Sequence, residues 1–148
     1  MQTFLPLPSM GDSVRCLDDK RLGKQRVEAL QILKALRGEY SKTGAWENHP
    51  ATKMWRGYEN ALGFYKDLCI EEWIRRGFNN TMELNPLPTR FTYPWWLGNE
   101  DFHASHRSNL LRKAPEHYDT FGWAESSDLP YVWPGGIEYA SPSERNQV

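Results

Sequence analysis

The sequence predicts an all-α protein, built as a compact single domain of three main helices with an irregular carboxy-terminal tail rich in aromatic residues and proline. Its length of 148 residues fits one hydrophobic core. Apolar residues recur at helical spacing as far as residue 113, whereas prolines and glycines interrupt every periodic run beyond it. We therefore expect a helical domain over residues 1–118. An irregular acidic tail over residues 119–148 is expected to pack on it, with its last residues loose.

The amino-terminal end is expected to be extended, because Pro6 and Pro8 exclude a regular helix from residue 3 to residue 9. A first helix is predicted over residues 18–37, where leucines recur at helical spacing and Gly38 ends the pattern. In the first half of this helix, arginine and glutamine stand where the leucine stripe would continue. That half is therefore predicted to face water or a ligand.

A second, long helix is predicted from Pro50 to Trp73, because proline suits the first helical position and Gly77 follows the periodic run. Residues 78–98 are rich in proline and aromatic residues and are expected to form a connection packed by its own side chains. A third helix is predicted from Glu100 to Lys113, ending before Pro115.

Composition excludes several classes of protein. Hydrophobic residues make up 39% and charged residues 25%, a balance unlike that of disordered, collagen-like or coiled-coil chains. No stretch is apolar enough to cross a membrane, and the amino-terminal residues lack the pattern of an export signal. Cys16 and Cys69 lack the spacing of a disulfide framework or a zinc site. We expect a reduced, cytoplasmic protein without a structural metal.

The formal net charge of −1 conceals an asymmetry along the chain. Residues 1–113 hold 17 Lys and Arg against 13 Asp and Glu, whereas residues 114–148 hold one arginine against six acids. Cations are densest between Arg15 and Lys42. A local basic surface that binds nucleic acid is therefore compatible with the total charge.

The first candidate site lies in the first predicted helix, in the stretch Lys20-Arg21-Leu22-Gly23-Lys24-Gln25-Arg26-Val27-Glu28. Helical spacing places Lys20, Lys24 and Glu28 on one face, so a single carboxylate stands among several cations. An ordinary surface ion pair between Lys24 and Glu28 is the alternative interpretation.

Two further polar clusters are candidates. Residues 47–50 precede the second helix, whose free N–H groups favour a phosphate, although a helix cap formed by Asn48 or His49 is the preferred interpretation. The third cluster runs from His103 to Lys113. It suits phosphate contact better than a metal ion, because no carboxylate or thiol stands at a partner position.

Aromatic residues make up 14% of the chain, enough to supply stacking surfaces for unpaired bases. Those at helical intervals are interpreted as core, whereas the pair Trp95-Trp96 in the proline-bounded connection has the better claim to a binding role. The sequence contains no nucleophile elbow, Walker loop or Rossmann fingerprint. The common hydrolase and nucleotide-binding classes are therefore disfavoured.

Several motifs together point to one family. Leu17 directly precedes the first helix, which contains Asp19, Leu22, Arg26 and Glu28. The run Asn48-His49-Pro50 leads into the second helix, whose end carries Glu72-Trp73-Ile74-Arg75-Arg76-Gly77-Phe78-Asn79. The third helix contains Arg107, and His117-Tyr118 follow after its end. These motifs resemble the phage-type pyrimidine-dimer DNA glycosylases, also called endonuclease V. The resemblance covers most of residues 1–118 and does not extend to the tail.

The resemblance implies an all-α enzyme that kinks duplex DNA at a pyrimidine dimer and flips a base. In that family the amino-terminal α-amine attacks the sugar, the base leaves, and a Schiff base forms that leads to abasic-site strand cleavage. Met1 would supply the amine here, because a large Gln2 normally prevents removal of the initiator methionine. Glu28 would stabilise the positive sugar and assist proton transfer.

Damaged duplex DNA is the expected partner of a monomer that uses no cofactor, no metal ion and no membrane. The expected DNA contacts are Arg21, Lys24, Arg26, His49, His103, His106, Arg107, Arg112 and Lys113. Three alternatives stay open: a glycosylase for another modified base, a catalytically silent nucleic-acid-binding protein, and a partner-binding domain in which Glu28 is only a salt-bridge acid.

Overall fold

The computed structural model describes residues 2–39, 48–84 and 90–134. Within these residues the chain forms helices and no strand, which confirms the predicted all-α class. The six α-helices are α1 (Met10–Cys16), α2 (Asp19–Leu36), α3 (Pro50–Trp55), α4 (Glu59–Arg75), α5 (Glu100–Lys113) and α6 (Pro115–Tyr118), and a 3-10 turn follows at Asp119–Phe121. None of the helices described is long and apolar enough to cross a membrane.

Helices α2 and α4 pack against each other and form the centre of the molecule. The buried stripe of α2 includes Leu22, Ala29, Ile32 and Leu33, as its helical spacing predicts. Gly38 follows the helix with a φ of 79°, a left-handed conformation that favours glycine. The first predicted helix is therefore confirmed to within one residue at each end.

The prediction of one long second helix is wrong, because two helices occupy that stretch. Helix α3 ends at Trp55, and Gly57 turns the chain with a φ of 87° before α4 begins at Glu59. A left-handed residue cannot continue a right-handed helix. The apolar periodicity therefore continues across a turn between two helices. The end of α4 lies at Arg75, close to the predicted position.

Helix α1 was not predicted, although the extended segment before it was. Ser9 caps α1 by accepting a hydrogen bond from the backbone N–H of Asp12, at 3.2 Å. Ser9 and Asp12 form the Ser-x-x-Asp pattern of a helix start, which was a usable signal. The third predicted helix, in contrast, is confirmed with the same bounds in α5, and Asn99 caps it.

The connection and the tail complete the core. Trp96 is 1% exposed, lies against Trp55 and Phe102, and donates from Nε1 to the Met54 carbonyl at 2.9 Å, so a binding role for Trp96 is wrong. Beyond α6, residues 123–133 supply side chains that pack on the core. The predicted loose end of the tail lies outside the residues that the structure describes.

Candidate active site

The amino-terminal segment crosses the molecule in an extended conformation beneath α5. The backbone N–H of Leu5 donates to Nδ1 of His106 at 2.9 Å, and the Leu5 carbonyl lies 2.7 Å from Nδ1 of His103. His103 also accepts on Nε2 from the backbone N–H of Gly98, at 2.8 Å. Its proton therefore lies on Nδ1 and is donated to Leu5, whereas His106 carries its proton on Nε2.

Both histidines are completely buried and neutral. Burial lowers the pKa of His103, and it lowers the pKa of His106 to about 3. The predicted contact of these side chains with DNA does not fit this placement, because neither ring reaches the surface. The two histidines, one turn apart, have a structural role instead. They clamp Leu5, because one ring binds its backbone N–H and the other its carbonyl.

Arg107 is also buried, between α5 and the amino-terminal segment. Its Nη1 donates to the carbonyl of Pro6 at 2.8 Å, and its guanidinium pairs with Glu125 of the tail at 2.9 Å and with Glu100. The Glu125 carboxylate raises the pKa of Arg107 further. Arg107 thus ties the amino-terminal segment to the tail, and the predicted phosphate contact is not available to it in this arrangement.

Gln25 holds the first residues of the segment against α2. Its Oε1 accepts from the backbone N–H of Phe4 at 2.7 Å and lies 2.8 Å from the hydroxyl of Tyr65. Its Nε2 donates to the carbonyl of Gln2 at 3.0 Å and to Oε2 of Glu28 at 2.9 Å. One side-chain amide therefore links the second residue of the chain to the predicted catalytic acid.

An open cavity of about 250 Å³ lies where these groups meet. Its described lining residues are Gln2, Phe4, Arg21, Lys24, Gln25, Glu28, Lys113 and Tyr131. The structure thus brings together four predicted site residues from two helices: Arg21, Lys24 and Glu28 of α2 and Lys113 of α5. Met1, the predicted source of the amine, lies outside the described residues.

The cavity combines one acid with three cations. Arg21 pairs with Asp18 at 3.3 Å, and within the described ranges Glu28 has no ion-pair partner. Burial lowers the pKa of Lys113, and the charges of Arg21, Arg112 and Lys24 lower it too. Cations whose charges lower the pKa of a neighbouring lysine are close enough to create a positive potential, which attracts a phosphate backbone.

Tyr131 closes the cavity from the tail side. Its ring packs against Phe4, His106 and Trp133. Burial raises the pKa of the Tyr131 phenol. A tail residue therefore forms part of the cavity wall, beside the clamped segment.

Arg26 is turned away from the cavity. Its guanidinium lies over the indole of Trp73, 4.3 Å from the ring centroid, and donates to Oδ1 of Asn80 at 2.9 Å. Trp73 in turn stacks on Phe78 at 4.2 Å. The Arg-Arg-Gly-Phe-Asn end of α4 thus serves to pack α4 on the amino-terminal half of α2. Arg76 adds to this packing with an ion pair to Asp19 at 2.9 Å.

The remaining predicted DNA contacts lie at other places. His49 caps α3 by accepting from the backbone N–H of Ala51 at 3.0 Å, which confirms the helix-cap interpretation, and burial lowers its pKa. Arg112 is exposed and donates to the carbonyl of Ser127 at 3.2 Å. Of these two, Arg112 is the side chain that could still contact phosphate.

Sequence reasoning missed Gln2, Phe4, Gln25 and Tyr131 as site residues. Gln25 carried a signal, because a glutamine on the buried stripe of an amphipathic helix needs buried hydrogen-bond partners. Tyr131 carried none, since its place depends on how the tail folds back. Among the described residues, no group of three or more His, Cys, Asp and Glu side chains could hold a metal ion.

Comparison with protein families gives a match to the first part of the chain. A family model described as pyrimidine dimer DNA glycosylase matches residues 1–86. This range contains α1 to α4 and every described residue of the cavity except Lys113 and Tyr131. No curated protein and no solved structure matches the chain. Because the matched range is more than half of the sequence, the chain belongs to the pyrimidine dimer DNA glycosylase family.

Proposed function

We propose that this protein excises the base of a pyrimidine dimer in duplex DNA through a Schiff base formed by its amino-terminal amine. The observation that carries the proposal is the link from Gln2 through the Gln25 amide to Glu28, at the wall of a cavity rich in cations. The residue that follows the proposed nucleophile is thereby held one hydrogen-bonded group away from the proposed acid.

The proposed chemistry uses the electron pair of the Met1 α-amine. The amine pair forms a new bond to C1′ of the damaged nucleotide, the bond from C1′ to the base breaks, and the base leaves with the electron pair of that broken bond and takes up a proton. The sugar ring then opens as O4′ is protonated, and the nitrogen loses its proton to give the Schiff base. Loss of a C2′ proton expels the 3′ phosphate, which is the abasic-site lyase step.

Glu28 is the group proposed to handle charge and protons. Its carboxylate stabilises the positive charge that develops on the sugar as the base leaves. It then assists proton transfer during ring opening and elimination. Its position supports this role, because no described cation pairs with it and it lines the open cavity.

The cations around the cavity have two proposed tasks. Arg21, Lys24 and Lys113, with the nearby Arg112, bind the phosphates that flank the lesion. Positive charge also favours the unprotonated form of an α-amine, whose ordinary pKa is near 8. A site with three cations and one acid therefore supports DNA binding and nucleophile activation together.

Borohydride reduction in the presence of abasic-site duplex DNA tests the proposal. We expect a covalent adduct, which peptide mass spectrometry locates on the amino-terminal peptide and which acetylation of the amino terminus abolishes. An adduct on Lys24 or Lys113, or no adduct at all, would contradict the proposal. Salt-dependent DNA binding without an adduct would identify a silent binder, and a comparison of duplexes with other altered bases would identify a different lesion.

A further inference from the structure

Gln25 is the side chain through which Glu28 and the amino-terminal segment are connected. We propose that Gln25 is a positioning residue, which fixes the distance and orientation between Gln2, the residue next to the proposed nucleophile, and the Glu28 carboxylate. This inference rests on the proposed function and adds to it a residue that touches no reacting atom. It follows from the amide's hydrogen bonds, its burial and its place on α2.

The orientation of the Gln25 amide is determined by the backbone. The N–H of Phe4 can only donate, so the group it meets at 2.7 Å must be the amide oxygen. The carbonyl of Gln2 can only accept, so the group at 3.0 Å must be the amide nitrogen. A flipped amide would lose both bonds, and therefore the second N–H of the nitrogen is directed at Glu28.

Three hydrogen bonds hold the Gln25 amide: one to its oxygen from Phe4 and two from its nitrogen, to Gln2 and Glu28. The bond to Glu28 is 2.9 Å long, and the oxygen also lies 2.8 Å from the Tyr65 hydroxyl, which has one proton for Gln25 Oε1 and the Phe4 carbonyl, each 2.8 Å away. Gln25 is 1% exposed and Tyr65 is completely buried. A buried amide held by three hydrogen bonds resists movement, because a displaced group would lose its partner.

The same amide thereby couples two elements that are distant in sequence. Gln25 and Glu28 lie one turn apart on α2, so α2 fixes their spacing. The bonds to Gln2 and Phe4 then fix the amino-terminal segment relative to that turn. A nucleophile and an acid act together only when they are held in register, and a displacement of about 1 Å can lower a rate about 100-fold.

Two substitutions at Gln25 test the role, with one matched control. Gln25→Met keeps the length of the side chain and removes every hydrogen bond of the amide. Gln25→Glu keeps the oxygen that meets Phe4 and Tyr65, but it places an oxygen against Gln2 and Glu28, where the nitrogen donates. Gln31→Met is the control, because Gln31 lies on the same helix outside the cavity.

The readouts are the rate of borohydride-trapped adduct formation at saturating abasic-site DNA, the dissociation constant for that DNA, and the helix content. For both Gln25 variants we expect adduct formation to slow by about 10- to 100-fold, while DNA affinity changes by less than about 3-fold. Gln31→Met should match the wild type in both. We also expect the effect of Gln25→Met to shrink when it is combined with Glu28→Gln, because the two groups act as a unit.

Several results would overturn the inference. A wild-type rate of adduct formation in either folded Gln25 variant contradicts it, as does a Gln25→Met effect of unchanged size in the Glu28→Gln background. Loss of adduct only in proportion to loss of folded protein indicates a purely structural role, and if Gln25→Met does not fold, the rate measured for Gln25→Glu decides the question. Absence of the adduct in the wild type instead contradicts the proposed function itself, so the two failures are distinguished.

Discussion

Leu5 is held by an imidazole in place of a neighbouring strand: its backbone N–H donates to Nδ1 of His106, 2.9 Å away. His103 satisfies the carbonyl of the same residue, so both polar backbone groups of Leu5 depend on neutral histidine side chains. Each buried backbone group needs a partner, and an isolated extended segment has none of its own. The protonation state of these rings is therefore part of what anchors the amino-terminal segment.

Acid should destabilise the fold through His106. Burial lowers the pKa of His106 from 6.5 to about 3, so between those values the unfolded chain binds a proton that the folded chain does not. The free energy of unfolding is then highest above pH 6.5 and falls as the pH drops, by up to about 1.4 kcal/mol per unit for one histidine. Urea unfolding at pH 7, 6 and 5 measures this slope above the range in which carboxylates titrate.

His106→Gln tests the assignment of that slope. Glutamine keeps a side-chain acceptor for the Leu5 N–H and does not titrate, so the variant should be less stable at pH 7 and should show a shallower pH dependence. His117→Gln is the comparison, since His117 lies outside the clamp and contacts the Cys16 carbonyl at 2.9 Å. An undiminished slope in His106→Gln would contradict the prediction.

Gly23→Ala should destabilise the protein, because a Cβ at position 23 would lie 3.0 Å from two ring atoms of Trp73. The indole is held against a shift away from the added Cβ, since it stacks on Phe78 and donates to the Asn79 carbonyl at 2.8 Å. Overpacking should lower the free energy of unfolding by about 1–3 kcal/mol, whereas replacing a helical glycine should raise it by up to about 1 kcal/mol. We therefore expect a net destabilisation. Thermal and urea unfolding measure the net effect.

Gly11→Ala is the matched control for this prediction. Its added Cβ would lie 3.3 Å from Nη1 of Arg15, the far end of a flexible and exposed side chain. The helix-propensity gain should then dominate, with a stabilisation of up to about 1 kcal/mol. Equal stability of the two alanine variants would show that the contact with Trp73 is not tight.

The parts of the fold that the sequence predicts well are those set by local pattern. The bounds of α2 and α5 follow from apolar spacing and stop residues, which act within a few residues of each helix end. The break at Gly57 was missed because the apolar period continues across it. A left-handed residue is a property of one position, and it leaves the hydrophobic pattern on either side unchanged.

The site residues, too, can be predicted only where a local pattern determines their position. Arg21, Lys24 and Glu28 share the cavity because helical spacing already places them on one side of α2. His103 and His106 show the limit, since two histidines one turn apart look the same in sequence whether they face DNA or a buried extended segment. Their partner Leu5 is about 100 residues distant, so only the tertiary fold decides between the two environments.

Lys113→Gln should weaken DNA binding in a way that depends on salt. Lys113 is exposed and lines the cavity together with Arg21 and Lys24, so these three cations share one surface. If its ammonium neutralises one phosphate, the slope of log affinity against log salt should fall by about 0.9. Lys53→Gln, at an exposed lysine of α3 outside the cavity, should leave the slope unchanged. Equal slopes in wild type and Lys113→Gln would remove Lys113 from the DNA surface.

Glu28→Gln should separate binding from chemistry. The amide is close in shape to the carboxylate, and its oxygen can still accept the hydrogen bond from Gln25 Nε2, so we expect the free energy of unfolding to change by less than about 1 kcal/mol. Loss of the negative charge removes stabilisation of the positive sugar, and base release from a dimer-containing duplex should slow by about 100-fold or more.

Single-turnover base release and equilibrium binding of the same duplex measure the two effects of Glu28→Gln. DNA affinity should stay equal or rise, because the only acid among the described residues that line the cavity has been neutralised. Glu71→Gln, at an exposed glutamate of α4 outside that cavity, should leave both quantities unchanged. If Glu28→Gln instead abolished binding or lowered the melting temperature strongly, Glu28 would be a structural acid, and the positive cavity would have to act on DNA without it.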